Sequence, residues 1–260
     1  MHGVYLADDH EASYGWAIQA MRQRLGPDPV LLGPSAAFAH GVTLAGEGDV
    51  VHVGVDPARV LKPRPEVVSH RGVIEPRDVM TTALGSASTP ARTAVDLARG
   101  IGTARMPDDE RLATVEAFLA GSGVRVAEAK RVARLMSGRH GLPQARRLLR
   151  AARDGVGSPR ETLLRLLVIR HGFEEPTVQC PVELAGRVMA RLDLGWPEHR
   201  VGLEYDGQVH LERRQHSRDL VRHNRIRAAG WDVLQVDAHA FGHPEEFLAQ
   251  LAAWLPLSHP

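Results

Sequence analysis

Three ionisable side chains lie close together in the stretch LEYDGQVH, residues 203–210. They are Glu204, Asp206 and His210, and Glu204 falls inside an apolar strand pattern, where a carboxylate is costly without a partner. Side chains two positions apart on a strand point to the same face, so we expect Glu204 and Asp206 to be neighbours. Such carboxylates can bind a divalent cation, and His210 beside them can act as a base near neutral pH.

Another acid, Asp193, ends the predicted strand that precedes this stretch. Residues 194–200 connect the two strands, and an antiparallel return of that length brings Asp193 alongside Glu204. Carboxylates that converge at one edge repel each other unless a cation lies between them, and hard oxygen ligands favour Mg²⁺ or Mn²⁺. The alternative is that Asp193 is an ordinary turn acid and that Asp206 and Gly207 form a turn.

Glu161 has two interpretations. The order Ser158, Pro159, Arg160, Glu161 is that of a capping box with proline at the first helical position, so Glu161 can bond the backbone amide of Ser158. It can also be an acid of the same site as Asp193 and Glu204. The sequence leaves both roles open.

Composition limits the class of protein and the kind of metal site. A chain of 260 residues with 43% hydrophobic and 24% charged residues is typical of a soluble globular protein with room for two domains. Cys180 is the only cysteine, which excludes a disulfide framework and a cysteine-rich zinc cluster. No apolar run approaches the roughly 20 residues of a membrane span, and the N-terminus is acidic where a signal peptide is basic. We therefore expect a cytoplasmic protein.

Arginine carries almost all of the positive charge, since Lys62 and Lys130 are the only lysines in the chain. The run from residue 130 to 153 is basic and contains no acid, and residues 212–227 are also rich in arginine. Such runs indicate contacts to phosphates. The alternative is that they decorate solvated helix faces.

The pattern of apolar residues and turn signals predicts two domains, residues 1–154 and 155–260. The boundary lies in DGVGSPRETLL, residues 154–164, where two glycines and a proline precede an apolar helix. Before it we expect α+β structure that becomes wholly helical, with strands at 49–55 and 66–72 and helices near 88–100, 107–120, 125–137 and 143–153. After it we expect a helix at 159–171, strands at 177–184, 187–194 and 200–206, a basic helix at 213–229, a strand at 231–236 and a helix at 244–255.

The second domain resembles a known family. The order Glu161, Asp193, LEYDGQVH, the basic helix SRDLVRHNRIRAAG and the strand WDVLQV is similar to the very-short-patch-repair (Vsr) endonuclease-like domain of unknown function, within the PD-(D/E)xK nuclease superfamily. The resemblance covers residues 155–255. It implies a restriction-endonuclease-like α/β sandwich around a mixed sheet, preceded here by a smaller α+β and helical domain.

The resemblance also implies roles for individual residues. Asp193 would bind the metal, Glu204 would occupy the (D/E) position, and Glu161 would be the helix acid that binds the metal or its water. Asp206 falls where the superfamily has lysine, and no lysine follows Lys130, so His210 would take the role of the base. The candidates for binding the nucleic-acid backbone are Arg214, Arg218, Arg222 and Arg225.

Upstream, three segments are similar to the region that follows the winged helix in AbiEi-type antitoxin and transcriptional-regulator proteins. They are GPSAAFAHG, VHVGVDPARVLKPRPEVVSHRG and STPARTAVDLARG, within residues 28–100. Of the winged helix itself, only HGVYLADDH is similar to the final wing. This resemblance implies a link to toxin–antitoxin systems or to transcriptional regulation.

Together these features predict a Mg²⁺- or Mn²⁺-dependent DNA endonuclease or nickase that acts in DNA repair on duplex, nicked or damaged DNA. The alternative is an antitoxin-like regulator, or DNA-binding module, whose nuclease fold is catalytically degenerate. The missing lysine and the incomplete winged helix favour that alternative. A third class, an RNA-directed toxin nuclease, would use the same acids.

Overall fold

The computed structural model describes residues 13–26, 29–46, 48–59, 62–206 and 222–257. The fold is mixed α/β, with two mixed sheets. The chain divides into two compact units, Met1–Asp154 and Gly155–Pro260, and the division falls at the glycine-rich stretch that predicted it. The first unit is the longer of the two, not the smaller domain that we expected. Among the described residues, no helix combines the length and the apolarity that a bilayer crossing requires.

The first unit is built on a five-stranded sheet of order β3-β2-β1-β5-β4. Its strands are β1 (Val30–Leu31), β2 (Val51–Val55), β3 (Val67–Arg71), β4 (Val79–Thr82) and β5 (Gly85–Ser88). The pairs β1–β2 and β4–β5 are antiparallel, whereas β1–β5 and β2–β3 are parallel. The sequence predicted β2 and β3 but missed β1, which has only two residues, and β4 and β5, which are short and rich in small or polar side chains.

Six helices complete the described part of the first unit. They are α1 (Tyr14–Leu25), α2 (Gly33–Ala39), α3 (Pro90–Ala98), α4 (Asp108–Ser122), α5 (Val126–Leu135) and α6 (Leu142–Ala151). Residues of α1, α2, β1 and β2 share one core, with Ile18, Met21 and Val53 almost inaccessible to solvent. Each such apolar side chain contributes about 1.5–3 kcal/mol by leaving water.

The second unit is built on a four-stranded sheet of order β6-β7-β8-β9. Its elements are α7 (Pro159–Arg170), β6 (Thr177–Leu184), β7 (Arg187–Trp196), β8 (Val201–Asp206), a helix α8 described over residues 222–228, β9 (Asp232–Asp237), α9 (Ala238–Gly242) and α10 (Glu245–Trp254). Strands β6, β7 and β8 form an antiparallel meander, and β9 pairs parallel to β8. The order and bounds follow the prediction closely, except for the short helix α9, which was not expected.

Two apolar clusters stabilise this sheet and fix the positions of its helices. Leu164 of α7, Leu203 of β8 and Leu251 of α10 belong to one cluster. Cys180 of β6 and Ile226 of α8 belong to the other. Helices therefore pack on the sheet through separate cores, and the first residues of α7 and of the described part of α8 approach the strands where the candidate acids lie.

Candidate active site

A row of four polar side chains crosses the second sheet. Glu204 of β8 is the register partner of Gln235 of β9. Extending the register of the neighbouring pairs sets Asp193 of β7 level with Glu204 and Gln179 of β6 opposite Asp193. Two carboxylates thus lie between two amides, one on each strand, at one level of the sheet.

Asp193 is the central acid of the site. Its Oδ2 accepts a hydrogen bond from the backbone N–H of Tyr205 at 2.8 Å, which ties the end of β8 to β7. Burial, together with the smaller effect of the Glu161 and Glu204 charges, raises the pKa of Asp193 from 3.8 to about 6, against the opposing effects of the Tyr205 N–H and Arg222. Asp193 is therefore close enough to Glu161 and to Glu204 to be repelled by both, and the sequence predicted this proximity for Glu204.

Glu161 reaches this site from the first turn of α7, and it is 7% exposed. Ser158 caps the helix by accepting the Glu161 N–H at 3.3 Å. The Glu161 carboxylate does not complete the capping box with Ser158; its Oε2 accepts from the backbone N–H of Gly157 and from Nε2 of Gln179, both at 2.9 Å. The expected bond from the Glu161 carboxylate to the Ser158 amide is therefore replaced by one to the Gly157 N–H, and the same carboxylate binds Gln179, which lies level with Asp193.

Gly157 is required by the close approach of that carboxylate. A Cβ at this position would lie 2.8 Å from Oε1 of Glu161 and 3.3 Å from Nε2 of Gln179. Any side chain at 157 would therefore displace the carboxylate or the amide that holds it.

Glu204 is paired with groups of α8. It is 7% exposed, its Oε1 faces the guanidinium of Arg222, and its Oε2 lies 3.9 Å from Nε2 of His223. No donor among the described residues meets Oε1 with hydrogen-bond geometry. Arg222 also donates from Nη2 to the carbonyl oxygen of Arg191 at 2.6 Å.

His223 is further linked to the row, since its Nε2 lies 2.9 Å from Nε2 of Gln235. The sequence did not predict four members of the site: Gln179, Gln235, His223 and Gly157. An amide inside a strand carries no periodic signal, and only the register reveals which residues share a level. The one available signal was that His223 directly follows Arg222, already a candidate.

The other predicted residues have different outcomes. Asp206 ends β8 and is exposed, unlike Glu204 two positions earlier. Its register partner is Asp237, whose Oδ1 caps α9 by accepting the Ala240 N–H at 2.7 Å. Arg225 is exposed on α8, as a phosphate-binding side chain must be. His210, Arg214 and Arg218 lie outside the described residues.

The donor set suits a hard divalent cation. Carboxylate oxygens from Asp193, Glu204 and Glu161 are the ligands that Mg²⁺ and Mn²⁺ prefer, and Asp193 lies close enough to both other acids for their charges to raise its pKa. Within the described ranges, no three acids, histidines or cysteines are arranged as a ready metal cluster. The carboxylates have other partners in this structure: Arg222 faces Glu204, and Gly157 and Gln179 hold Glu161.

Comparison with known proteins gives relatives but no function. Two uncharacterized proteins of Mycobacterium tuberculosis, from strains CDC 1551 / Oshkosh and ATCC 25618 / H37Rv, are each 28% identical over 236 residues, which is 90% of this chain and 83% of theirs. No protein-family model matches the chain. No solved structure matches it.

Proposed function

We propose that the second unit is a Mg²⁺- or Mn²⁺-dependent endonuclease or nickase that hydrolyses phosphodiester bonds in DNA. The observation that carries this proposal is the position of Asp193 between two other carboxylates, which together with burial raises its pKa to about 6. A strongly perturbed acid among like charges is characteristic of functional sites. A purely structural acid would instead be neutralised by its own partner.

The order of elements supports the same proposal. A helix with an acid in its first turn, a three-stranded meander and a further strand parallel to the last one form the second unit. That order is the one the Vsr-like resemblance implies for a restriction-endonuclease-like sandwich. The proposed setting of repair, with nicked or damaged duplex DNA as substrate, rests on that resemblance.

Acids from β7, β8 and α7 would hold the cation. Asp193 and Glu204 would bind the cation directly, and Glu161, already held by Gly157 and Gln179, would bind it or orient its water. When bound, the cation would polarise the scissile phosphate and lower the pKa of a coordinated water.

A histidine would accept the proton of the attacking water. The sequence points to His210 for that role, and His223 is a second candidate because its Nε2 faces both Glu204 and Gln235. Exposed arginines, Arg225 among them, would bind the phosphodiester backbone.

The test is a cleavage assay of Asp193→Asn and Glu204→Gln on labelled single-stranded, duplex, nicked and mismatched DNA, and on RNA, with Mg²⁺, Mn²⁺ or chelator. Metal-ion catalysis is worth several kcal/mol, so each variant should lose about 100-fold or more of the cleavage rate. The matched control is Glu183→Gln, which neutralises an exposed acid on β6 and should leave the rate unchanged. Full cleavage by Glu204→Gln would refute the proposal, and cleavage of RNA alone would move it to an RNA-directed nuclease.

A second candidate is the antitoxin-like regulator with a degenerate nuclease fold. The observation that favours it is the ion pair between Arg222 and Glu204, which neutralises a carboxylate that an active nuclease needs for its cation. A pure binding module should hold duplex DNA in chelator, with an affinity that falls steeply as salt rises. Tight binding with no cleavage of any substrate would favour this function over the nuclease.

A further inference from the structure

We infer that Arg222 is a built-in counter-cation of the acid site, which a divalent cation must displace from Glu204 in order to bind. This inference rests on the proposed function, because it concerns the metal affinity of the same acids. It assigns to Arg222 a positioning and regulatory role in place of the direct phosphate contact that the sequence suggests.

The contacts of Arg222 fit a replaceable partner. Its guanidinium faces Oε1 of Glu204 on β8 and donates to the carbonyl oxygen of Arg191 on β7 at 2.6 Å. It therefore bridges two adjacent strands at the acid site. In the ion pair the side chain of Arg222 is 38% exposed, whereas that of Glu204 is 10% exposed. The arginine can move into water, but the carboxylate cannot follow it.

Electrostatics explains why this contact forms without a metal. Three carboxylates at close range are unfavourable in a partly buried setting, and Arg222 acts on Asp193 as well as on Glu204, since it opposes the rise in the Asp193 pKa. One guanidinium cannot neutralise three acids. The group keeps an excess of negative charge that still attracts a cation when Arg222 occupies its place.

Competition for one oxygen has a measurable consequence. Oε1 of Glu204 cannot face a guanidinium and coordinate a metal at the same time, so metal binding must overcome the ion pair. Neutral Arg222→Gln should therefore strengthen metal binding and weaken the metal-free fold. A side chain that only contacts phosphate would change neither quantity.

The experiment measures Mn²⁺ binding by titration calorimetry on the full chain without nucleic acid, and thermal unfolding in chelator and in Mn²⁺. Arg222→Gln should bind Mn²⁺ about tenfold more tightly than the natural chain, a coupling typical of two linked binding events. Its melting temperature should fall in chelator and rise more than that of the natural chain when Mn²⁺ is added. The matched control, Arg227→Gln at an exposed position of the same helix, should leave both quantities unchanged.

Two further variants make the outcome decisive. In Glu204→Gln/Arg222→Gln the gain in Mn²⁺ affinity should disappear, because the contested oxygen no longer carries charge. Arg222→Lys keeps the charge but lacks the planar fork of donors, so it should bind Mn²⁺ with an affinity between those of the natural chain and Arg222→Gln. This variant replaces Arg222→Gln if the latter is too unstable to titrate.

Each result bears on the inference separately from the proposed nuclease. Equal Mn²⁺ affinity in the natural chain and Arg222→Gln, or no Mn²⁺ binding by either, would overturn the counter-cation. A gain in Mn²⁺ affinity in Arg222→Gln with no cleavage by any form would support the counter-cation and refute the nuclease.

Discussion

Each unit contains a buried group of charges, and the two groups are built differently. In the first unit, Arg92 donates to Asp78 at 2.9 Å and to Asp96 at 3.1 Å, and Arg99 donates to Asp96 at 2.8 Å. Two arginines therefore meet two aspartates, and both carboxylates have a guanidinium partner. In the second unit, Asp193 and Glu204 share Arg222, Glu161 is held by the uncharged donors of Gly157 and Gln179, and the pKa of Asp193 is raised to about 6.

The difference separates a structural network from a candidate ligand site. A buried ion pair stabilises a fold only when its charges balance and its hydrogen bonds are made, and the first network meets that condition. Asp78 and Arg92 of this network also line a cleft of about 600 Å³. Their charged groups, however, already bind each other. The acids of the second unit keep unbalanced charge, which is what a cation site needs.

The largest change in stability should follow from removing one arginine of the charge network in the first unit. Arg92→Met removes the guanidinium that Asp78 binds and leaves Asp96 with Arg99 alone, and it should lower the free energy of unfolding by about 3–5 kcal/mol. Urea denaturation measures the loss, with Arg125→Met as control because its pair with Glu128 spans 3.9 Å and its side chain is 77% exposed. A loss below that of the control would show that the network is not structural.

Removing one charge from the acid group of the second unit should raise the free energy of unfolding instead of lowering it. Asp193→Asn keeps an acceptor for the Tyr205 N–H but removes repulsion from Glu161 and Glu204. In chelator at pH 7 it should raise the free energy of unfolding by about 1 kcal/mol, a figure reduced for partial exposure. Three of the four tryptophans, Trp196, Trp231 and Trp254, lie in the second unit, so denaturation followed by tryptophan fluorescence reports mainly on that unit. If Asp193→Asn were less stable than the natural chain, the favourable contacts of the Asp193 carboxylate would outweigh its repulsion by Glu161 and Glu204.

Acidification should stabilise the second unit through Asp193 and destabilise the first unit through two buried histidines. The pKa of Asp193 is raised from 3.8 to about 6, so its stabilising contribution is present below pH 3.8 and is lost as the pH rises through 6. In the first unit, His52 and His70 lie with Nδ1 and Nε2 3.0 Å apart, and burial lowers the pKa of each from 6.5 to about 4. Their contribution is present above pH 6.5 and is lost as the pH falls through 4.

Hydrogen exchange resolved by peptide, compared at pH 7 and pH 4.5, distinguishes these contributions. Protection of β2 and β3, which carry the two histidines, should fall on acidification, and His70→Gln should reduce that fall. In the second unit, Asp193→Asn should remove the part of the pH dependence that makes protection greater at pH 4.5 than at pH 7. An unchanged pH profile in Asp193→Asn would contradict the raised pKa.

The smallest effect should come from Gly157→Ala. Its new Cβ would force the Glu161 carboxylate to shift by a few tenths of an ångström, which should weaken Mn²⁺ binding several-fold and cost about 1 kcal/mol or less of stability, within the range of ordinary substitutions. Gly242→Ala is the control, since a Cβ there meets nothing within 4 Å. Equal Mn²⁺ affinity in both variants would mean that Glu161 takes no part in binding.

Much of the fold of the second unit could be predicted because its elements are long and their signals agree. Ser158 and Pro159 mark the start of α7, and Ala185 and Gly186 mark the turn between β6 and β7. In the first unit the short strands β1, β4 and β5 carry no such signal. The parallel pairing of β2 and β3 also could not be predicted, because strand direction depends on long-range contacts.

The candidate site shows the same limit. Asp193 and Glu204 could be found because a carboxylate within an apolar strand is costly, and a short antiparallel return brings strand ends together. Gln179 and Gln235 could not, since an amide is unremarkable until the register sets it beside a carboxylate.

The sequence by itself determined the acids, the boundary at residues 154–155 and the order of elements in the second unit. These follow from local rules: apolar period, capping residues and the cost of an unpaired charge. Only the tertiary structure decided that Glu161 joins the acid group while Gly157 and Gln179 hold it, and that Arg222 and His223 face Glu204. Those partners depend on register and on how helices pack against strands far away in the chain, and both are set by packing of the whole unit.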